Sequence, residues 1–110
     1  MKRLHRKGMV IMNITEIRDN DTITLKIEGR VDTNTSPQVQ EYILKGFQKG
    51  NNLILDFENC AYLSSAGLRA LLIGQKTAIS KKGSMKLINV PEVLRSVFEM
   101  TGFINILTIE

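Results

Sequence analysis

The sequence predicts an α/β protein whose elements run β-β-α-β-α-β-α-β, an antiparallel hairpin first and parallel strands after it. Three observations predict this. Ile23, Leu25 and Ile27 alternate with Thr24, Lys26 and Glu28, the period of a strand with one buried face. Proline stands twice at a helix entry, in Ser36-Pro37 and at Pro91. Between the two, "NLILDF" (52–57) is short, branched and nearly all apolar, as suits a parallel strand covered on both sides by helices. Strands separated by helices imply right-handed crossovers and a mostly parallel sheet, which the opening hairpin makes mixed.

Taken in order, "MVIMNITEIRDNDTITLKIEG" (9–29) reads as two strands around the turn residues "DND" (19–21). Gly29 ends the alternation and the polar loop "RVDTNT" (30–35) follows. Ser36 is then expected to cap a helix with Pro37 in its first turn. Val39, Ile43, Gly46 and Phe47 share one helical face, Glu41 and Lys45 form an i,i+4 pair on another, and Gly50 is the stop. After the buried strand come Ser64 and Ser65. Leu68, Leu71, Leu72, Gln75 and Ile79 then describe the apolar stripe of a second helix over 66–80, which ends near "SKKG" (80–83). "MKLINV" (85–90) is another strand. Pro91 opens a third helix, with Val93 or Leu94, Val97 and Phe98 inside and Gly102 at its end, and "FINILTI" (103–109) closes the chain as a strand.

A chain of 110 residues, 43% hydrophobic and 24% charged, fits one domain. Folding at this length buries roughly 60–70% of the unfolded surface, enough for one modest core. With no tryptophan and six phenylalanines and tyrosines in total, Leu, Ile and Val must supply most of that core. The single cysteine, Cys60, excludes an internal disulfide, and one cysteine with one histidine speaks against a structural zinc site, so no metal or cofactor is expected. Cys60 reads as a small semi-buried hydrophobe in a reducing cytosol, which gives a cytoplasmic expectation.

The formal net charge of +4 is a property of the N-terminus. Lys2, Arg3, Arg6 and Lys7 are four of the 15 basic residues and have no acidic neighbour, so the remaining 11 balance the 11 acidic ones. A basic tail of this kind suits nucleic acid or an acidic membrane surface; it equally suits a disordered leader or an upstream start, with Met9 and Met12 following it. It lacks the apolar segment of a secretory signal, and no apolar run approaches the roughly 20 residues of a membrane span. Residues 1–11 are expected to be a disordered basic tail and 12–110 the folded domain, with no direct nucleic-acid binding and no membrane insertion.

The two serines stand where the chain passes from a parallel strand into a helix, at the sheet edge where such folds bind their ligands. In purely structural terms, Ser64 or Ser65 caps the following helix. In functional terms, a phosphate on a hydroxyl here lies over free N–H groups and the favourable end of the helix dipole. The protein stays folded and the added charge of about −1.5 to −2 is felt by whatever docks on that edge. Gly67 would leave room for a close approach. An enzymatic serine needs a base, and the only histidine, His5, lies in the tail. There is no Gly-x-Ser-x-Gly elbow and no phosphate-cradling glycine motif, so the chain is not expected to be an enzyme.

Three stretches carry a family resemblance: "EGRVDTNTSP" (28–37), "LILDFENCAYLSSAGLRALL" (53–72) and "VPEVLRSVFEMTGF" (90–103). From about Met12 to Glu110 the chain resembles a STAS domain of the anti-sigma factor antagonist type. The resemblance implies a STAS-like mixed sheet packed with helices. It also implies a protein that binds an anti-sigma factor which is itself a serine kinase, is released when that kinase phosphorylates one serine, and is reset by a serine phosphatase. The family's commonest motif is Asp-Ser-Ser/Thr-Gly, with the first serine modified. With its glycine on Gly67, the modified serine is Ser65, the aspartate position is Ser64 and the second hydroxyl position is Ala66. The chain departs from that motif at two positions, while Ser-Ser-Ala-Gly resembles a subset of the family. Ser64 remains the alternative target. Asp32 matches the family's acidic residue in the loop beside the serine; read locally, it is a turn aspartate. Asp56 reads as satisfying nearby backbone N–H groups. The expected partner-binding edge comprises Asp32, Ser64, Ser65, Ala66, Gly67 and Arg69. A non-phosphorylated scaffold subunit of a transporter or stress-signalling assembly is the rival function within the same fold.

Overall fold

A computed structural model describes residues 5–6, 9–10 and 12–110, with side chains from residue 12 onward. The expected tail, 1–11, lies outside the described residues except for two backbone pairs, β1 (His5–Arg6) and β2 (Met9–Val10), which run antiparallel.

β3 (Met12–Asp19) and β4 (Thr22–Val31) form the expected hairpin, closed by Asn20 at φ 56° and Asp21. β4 then pairs in parallel with β5 (Asn52–Asp56) along its first half and with β6 (Cys60–Leu63) along its last residues. β5 pairs with β7 (Ser84–Ile88) and β7 with β8 (Thr108–Ile109), all parallel. The order across the sheet is β3-β4-β5-β7-β8, with β6 beside β4.

α1 (Ser36–Lys49) and α2 (Ser65–Lys81) pack on one face of the sheet and on each other. That face carries Ile23, Leu25 and Ile27 of β4, Leu53 and Leu55 of β5, and Met85 and Leu87 of β7, all buried. Alternation holds over Ile23–Ile27, Leu53–Leu55 and Met85–Leu87. Ile54, expected to be covered on both sides, is half-buried, as are its register partners Thr24 and Lys86. The second face of the sheet is therefore only partly covered, and the apolar run of β5 overstated its burial. α3 (Glu92–Thr101) adds Leu94 and Phe98 to the core, while Val93 points to solvent.

The helix stripes follow expectation in α1, where Val39, Ile43, Gly46 and Phe47 are buried and Glu41 meets Lys45 at 3.0 Å. In α2 they do not. Ile79 is 67% exposed, and the buried stripe is Gly67, Leu68, Ala70, Leu71, Gly74 and Ala78. Small residues let α2 lie close to α1 and β7, which turns the larger residue at 79 outward.

Three other expectations are corrected. Gly29 does not end its strand: at φ 98° it takes up a register shift, and β4 continues to Val31. The stretch 103–109 is mostly not a strand. After Gly102 at φ 83° the chain makes a 3₁₀ turn, Phe103–Asn105, that sets Phe103 and Ile104 against the core, and only Thr108–Ile109 joins the sheet. Finally, β6 was not expected. It puts a second short strand between β5 and the two serines.

Candidate partner-binding edge

β6 is what places the serines. Val31 and Leu63 are register partners, and the Ser64 N–H donates to the Val31 carbonyl at 2.8 Å. Asp32 and Ser64 are the next residues on these paired strands, so the loops leading into α1 and α2 leave the sheet side by side.

The first join closes on itself. Asp32 Oδ1 accepts from the N–H groups of Asn34 (2.9 Å) and Thr35 (3.0 Å), and its carbonyl accepts from the Ser36 N–H at 2.8 Å. The Thr35 hydroxyl accepts from the Asp32 N–H at 2.9 Å and donates to the Arg30 carbonyl at 2.8 Å. The bond from the Thr35 N–H, aided by those from Asn34 and the Thr35 hydroxyl and by the nearby Arg30 charge, holds the Asp32 carboxyl below its ordinary range against a partial desolvation penalty. Thr35, not Ser36, is the residue flanking α1, and Ser36 is buried as the first helical residue. The Asp-x-x-Thr spacing was the sequence signal for this turn.

The second join is open. Ser64 has extended backbone, φ −86° and ψ 175°, and its Oγ accepts from the Gly67 N–H at 3.2 Å, while its carbonyl accepts from Leu68 N–H at 2.9 Å. Ser64 is thus the cap. Ser65, the first residue of α2, is exposed, and its hydroxyl has no hydrogen-bond partner among the described residues. The two hydroxyls thus differ in this geometry: one is engaged by the backbone, the other faces solvent.

Gly67 differs from expectation. It is buried, and a Cβ there would lie 2.5 Å from Leu63 Cδ1 and 2.9 Å from Val31 Cγ1. The close approach it allows is that of α2 to its own strands, and it is not presented to a partner. Ala66 and Arg69 do reach the surface. With Ser36, Pro37, Gln40, Glu41 and Leu44 of α1 they line a shallow groove of about 390 Å³ beside Ser65. The α1 wall of this groove was not foreseen, because no sequence pattern shows which exposed faces of two helices will adjoin. On the strand side, Arg30 stacks over the Tyr62 ring at 4.2 Å; Tyr62 escaped notice together with β6.

Asp56 and Cys60 behave as their structural readings expected. Buried Asp56 Oδ1 accepts from the Glu58 N–H (3.0 Å) and Asn89 Nδ2 (3.2 Å). Cys60 is buried, and desolvation pushes its thiol up despite a contact with the Tyr62 carbonyl. Among the described residues, no group of three or more His, Cys, Asp and Glu is placed to hold a metal, and no helix is long and apolar enough to cross a membrane.

A mixed sheet with this hairpin, and a capped serine pair at the edge beside an acidic turn, define a class. The model of the STAS domain family matches residues 13–110, and the chain belongs to that family. Its relatives include the anti-sigma-B factor antagonist of Bacillus subtilis (strain 168), 29% identical over 100 residues that cover 89% of this chain and 92% of that one. The protein of the same name in Listeria monocytogenes serovar 1/2a (strain ATCC BAA-679 / EGD-e) is 30% identical over 104 residues, 90% of each chain. Among solved structures, the Bacillus cell fate determinant SpoIIAA in its phosphorylated form is similar in fold, with a TM-score of 0.71 at 20% identity over 89% of this chain and 91% of that one.

Proposed function

We propose that this protein is an anti-sigma factor antagonist whose docking edge is switched by phosphorylation of Ser65. In the unmodified state the edge formed by Asp32, Ser64, Ser65, Ala66 and Arg69 binds an anti-sigma factor that is also a serine kinase, in the cytoplasm. The kinase transfers the γ-phosphoryl group of ATP to Ser65: the Oγ–P bond forms, the bond to the β-phosphate oxygen breaks, ADP leaves and the hydroxyl proton passes to a base on the kinase. A serine phosphatase hydrolyses the ester and restores the binding form.

The observation that carries this reading is the exposed, unbonded hydroxyl of Ser65 beside a neighbour whose hydroxyl is engaged as the cap. A kinase can take Ser65 without breaking a native contact, whereas taking Ser64 costs the cap. The names of the relatives supply the partner class. Phosphate at Ser65 opposes docking by like-charge repulsion and by the cost of burying an anion. A loss of about 3–4 kcal/mol corresponds to a few hundredfold in affinity.

Incubation with the anti-sigma factor kinase of the same cell and ATP tests it by intact mass. The expected result is a gain of one phosphate that Ser64→Ala keeps and Ser65→Ala loses. No gain in the unmodified protein overturns the switch and favours a scaffold.

A further inference from the structure

Arg69 has a role that docking alone does not give it. It stands four residues after Ser65 on α2, so the two side chains rise from the same helical face one turn apart. Both are exposed, and neither has a hydrogen bond or ion pair among the described residues. The neighbouring charges are otherwise occupied. Glu41, which shares the groove with Arg69, is paired with Lys45 at 3.0 Å, and Asp32 Oδ1 is bound into its own turn by Asn34 and Thr35. Arg30, the other cation at this edge, is stacked on Tyr62.

We infer that Arg69 is the internal receptor for the phosphate on Ser65: once modified, phosphoserine 65 and the Arg69 guanidinium form an intrahelical bridge. The inference rests on the reading of Ser65 as the modified residue. An anion N-terminal to a cation at i,i+4 is the favourable orientation in a helix, and a guanidinium presents paired N–H donors to phosphate oxygens. The edge is then changed twice by one reaction. It gains a dianion, and it loses the one cation that lines the groove among the described residues and is free for an acidic group of the partner. The phosphorylated form also acquires a contact that the unmodified form does not have.

Translational incorporation of phosphoserine at position 65 of the full chain tests the bridge without any kinase, so its failure and the failure of the kinase reading are separable. Thermal unfolding at low salt is compared for the serine and phosphoserine forms in the Arg69, Arg69→Lys and Arg69→Ala backgrounds. In the Arg69 background the phosphate is expected to raise the midpoint by about 2–4 °C relative to its effect in Arg69→Ala, with Arg69→Lys between and the difference shrinking at high salt. An equal shift in the Arg69 and Arg69→Ala backgrounds overturns the bridge. ³¹P NMR gives an independent readout. The phosphate resonance should move on Arg69→Ala, and one that does not move overturns it as well.

Discussion

The joins leading into α1 and α2 leave neighbouring strands of the same sheet edge, both are rich in short polar side chains, and they use them in opposite ways. Between Arg30 and Ser36 the Asp32 Oδ1 and the Thr35 hydroxyl are bonded inward, to four backbone groups between them. Between Leu63 and Gly67 one hydroxyl is bonded inward and its neighbour is not. Residue type does not distinguish Ser64 from Ser65; one position along the chain does. The cap position needs extended backbone, which aims the Ser64 hydroxyl at the Gly67 N–H. The next residue is already helical and sends its side chain to solvent. The hydroxyl left free at this edge is the one the backbone does not need.

The contrast can be broken most sharply at Thr35. Thr35→Val keeps the shape but leaves the Arg30 carbonyl and the Asp32 N–H without their partner, at a cost of about 1–3 kcal/mol by denaturant unfolding. Next comes the serine pair. Ser64→Ala should lose about 1 kcal/mol of stability, and Ser65→Ala should stay within about 0.5 kcal/mol of the unmodified protein. Equal costs would mean that the Ser65 hydroxyl is engaged after all and that the second join is as closed as the first. The smallest effect is the acid limb at Asp32. Its folded carboxyl is held below the ordinary value of 3.8, so its contribution is present above that value and is lost as the pH falls through the folded one. The stability difference between the protein and Asp32→Asn, followed by denaturant unfolding, should therefore narrow from pH 6 to pH 3, and a constant difference would show that the Asp32 charge does not hold the turn.

Much of this was legible from residues alone. The hairpin, the α1 face, the Glu41–Lys45 pair and the Ser64/Ser65 position follow from periodicity and cap chemistry, which act over a few residues. What escaped depends on contacts distant in sequence. β6 is four residues long with Ala61 and Tyr62 both exposed, so it has no alternation to read, and it exists because β4 runs past the end of β5. The C-terminal apolar stretch has the composition of a strand, but Gly102 turns Phe103 and Ile104 into the core as a 3₁₀ turn. Gly67 looked like an invitation to a partner because its occupants, Leu63 and Val31, come from two different strands. Arg69 was legible, but the groove beside it, with its α1 wall, needed the packing of α1 on α2.

β4 carries β5 along one half and β6 along the other, with the shift between them taken up at Gly29. The loops holding Asp32 and Ser65 are therefore anchored on a single central strand and leave it within one hydrogen bond of each other. On the proposed reading, a partner meets two loops already tied to one sheet by backbone pairing, so the loop-ordering share of the cost of association is small for these residues. On the same reading the two states of Ser65 differ mainly in charge, and the exchange of partners is expected to be strongly sensitive to ionic strength.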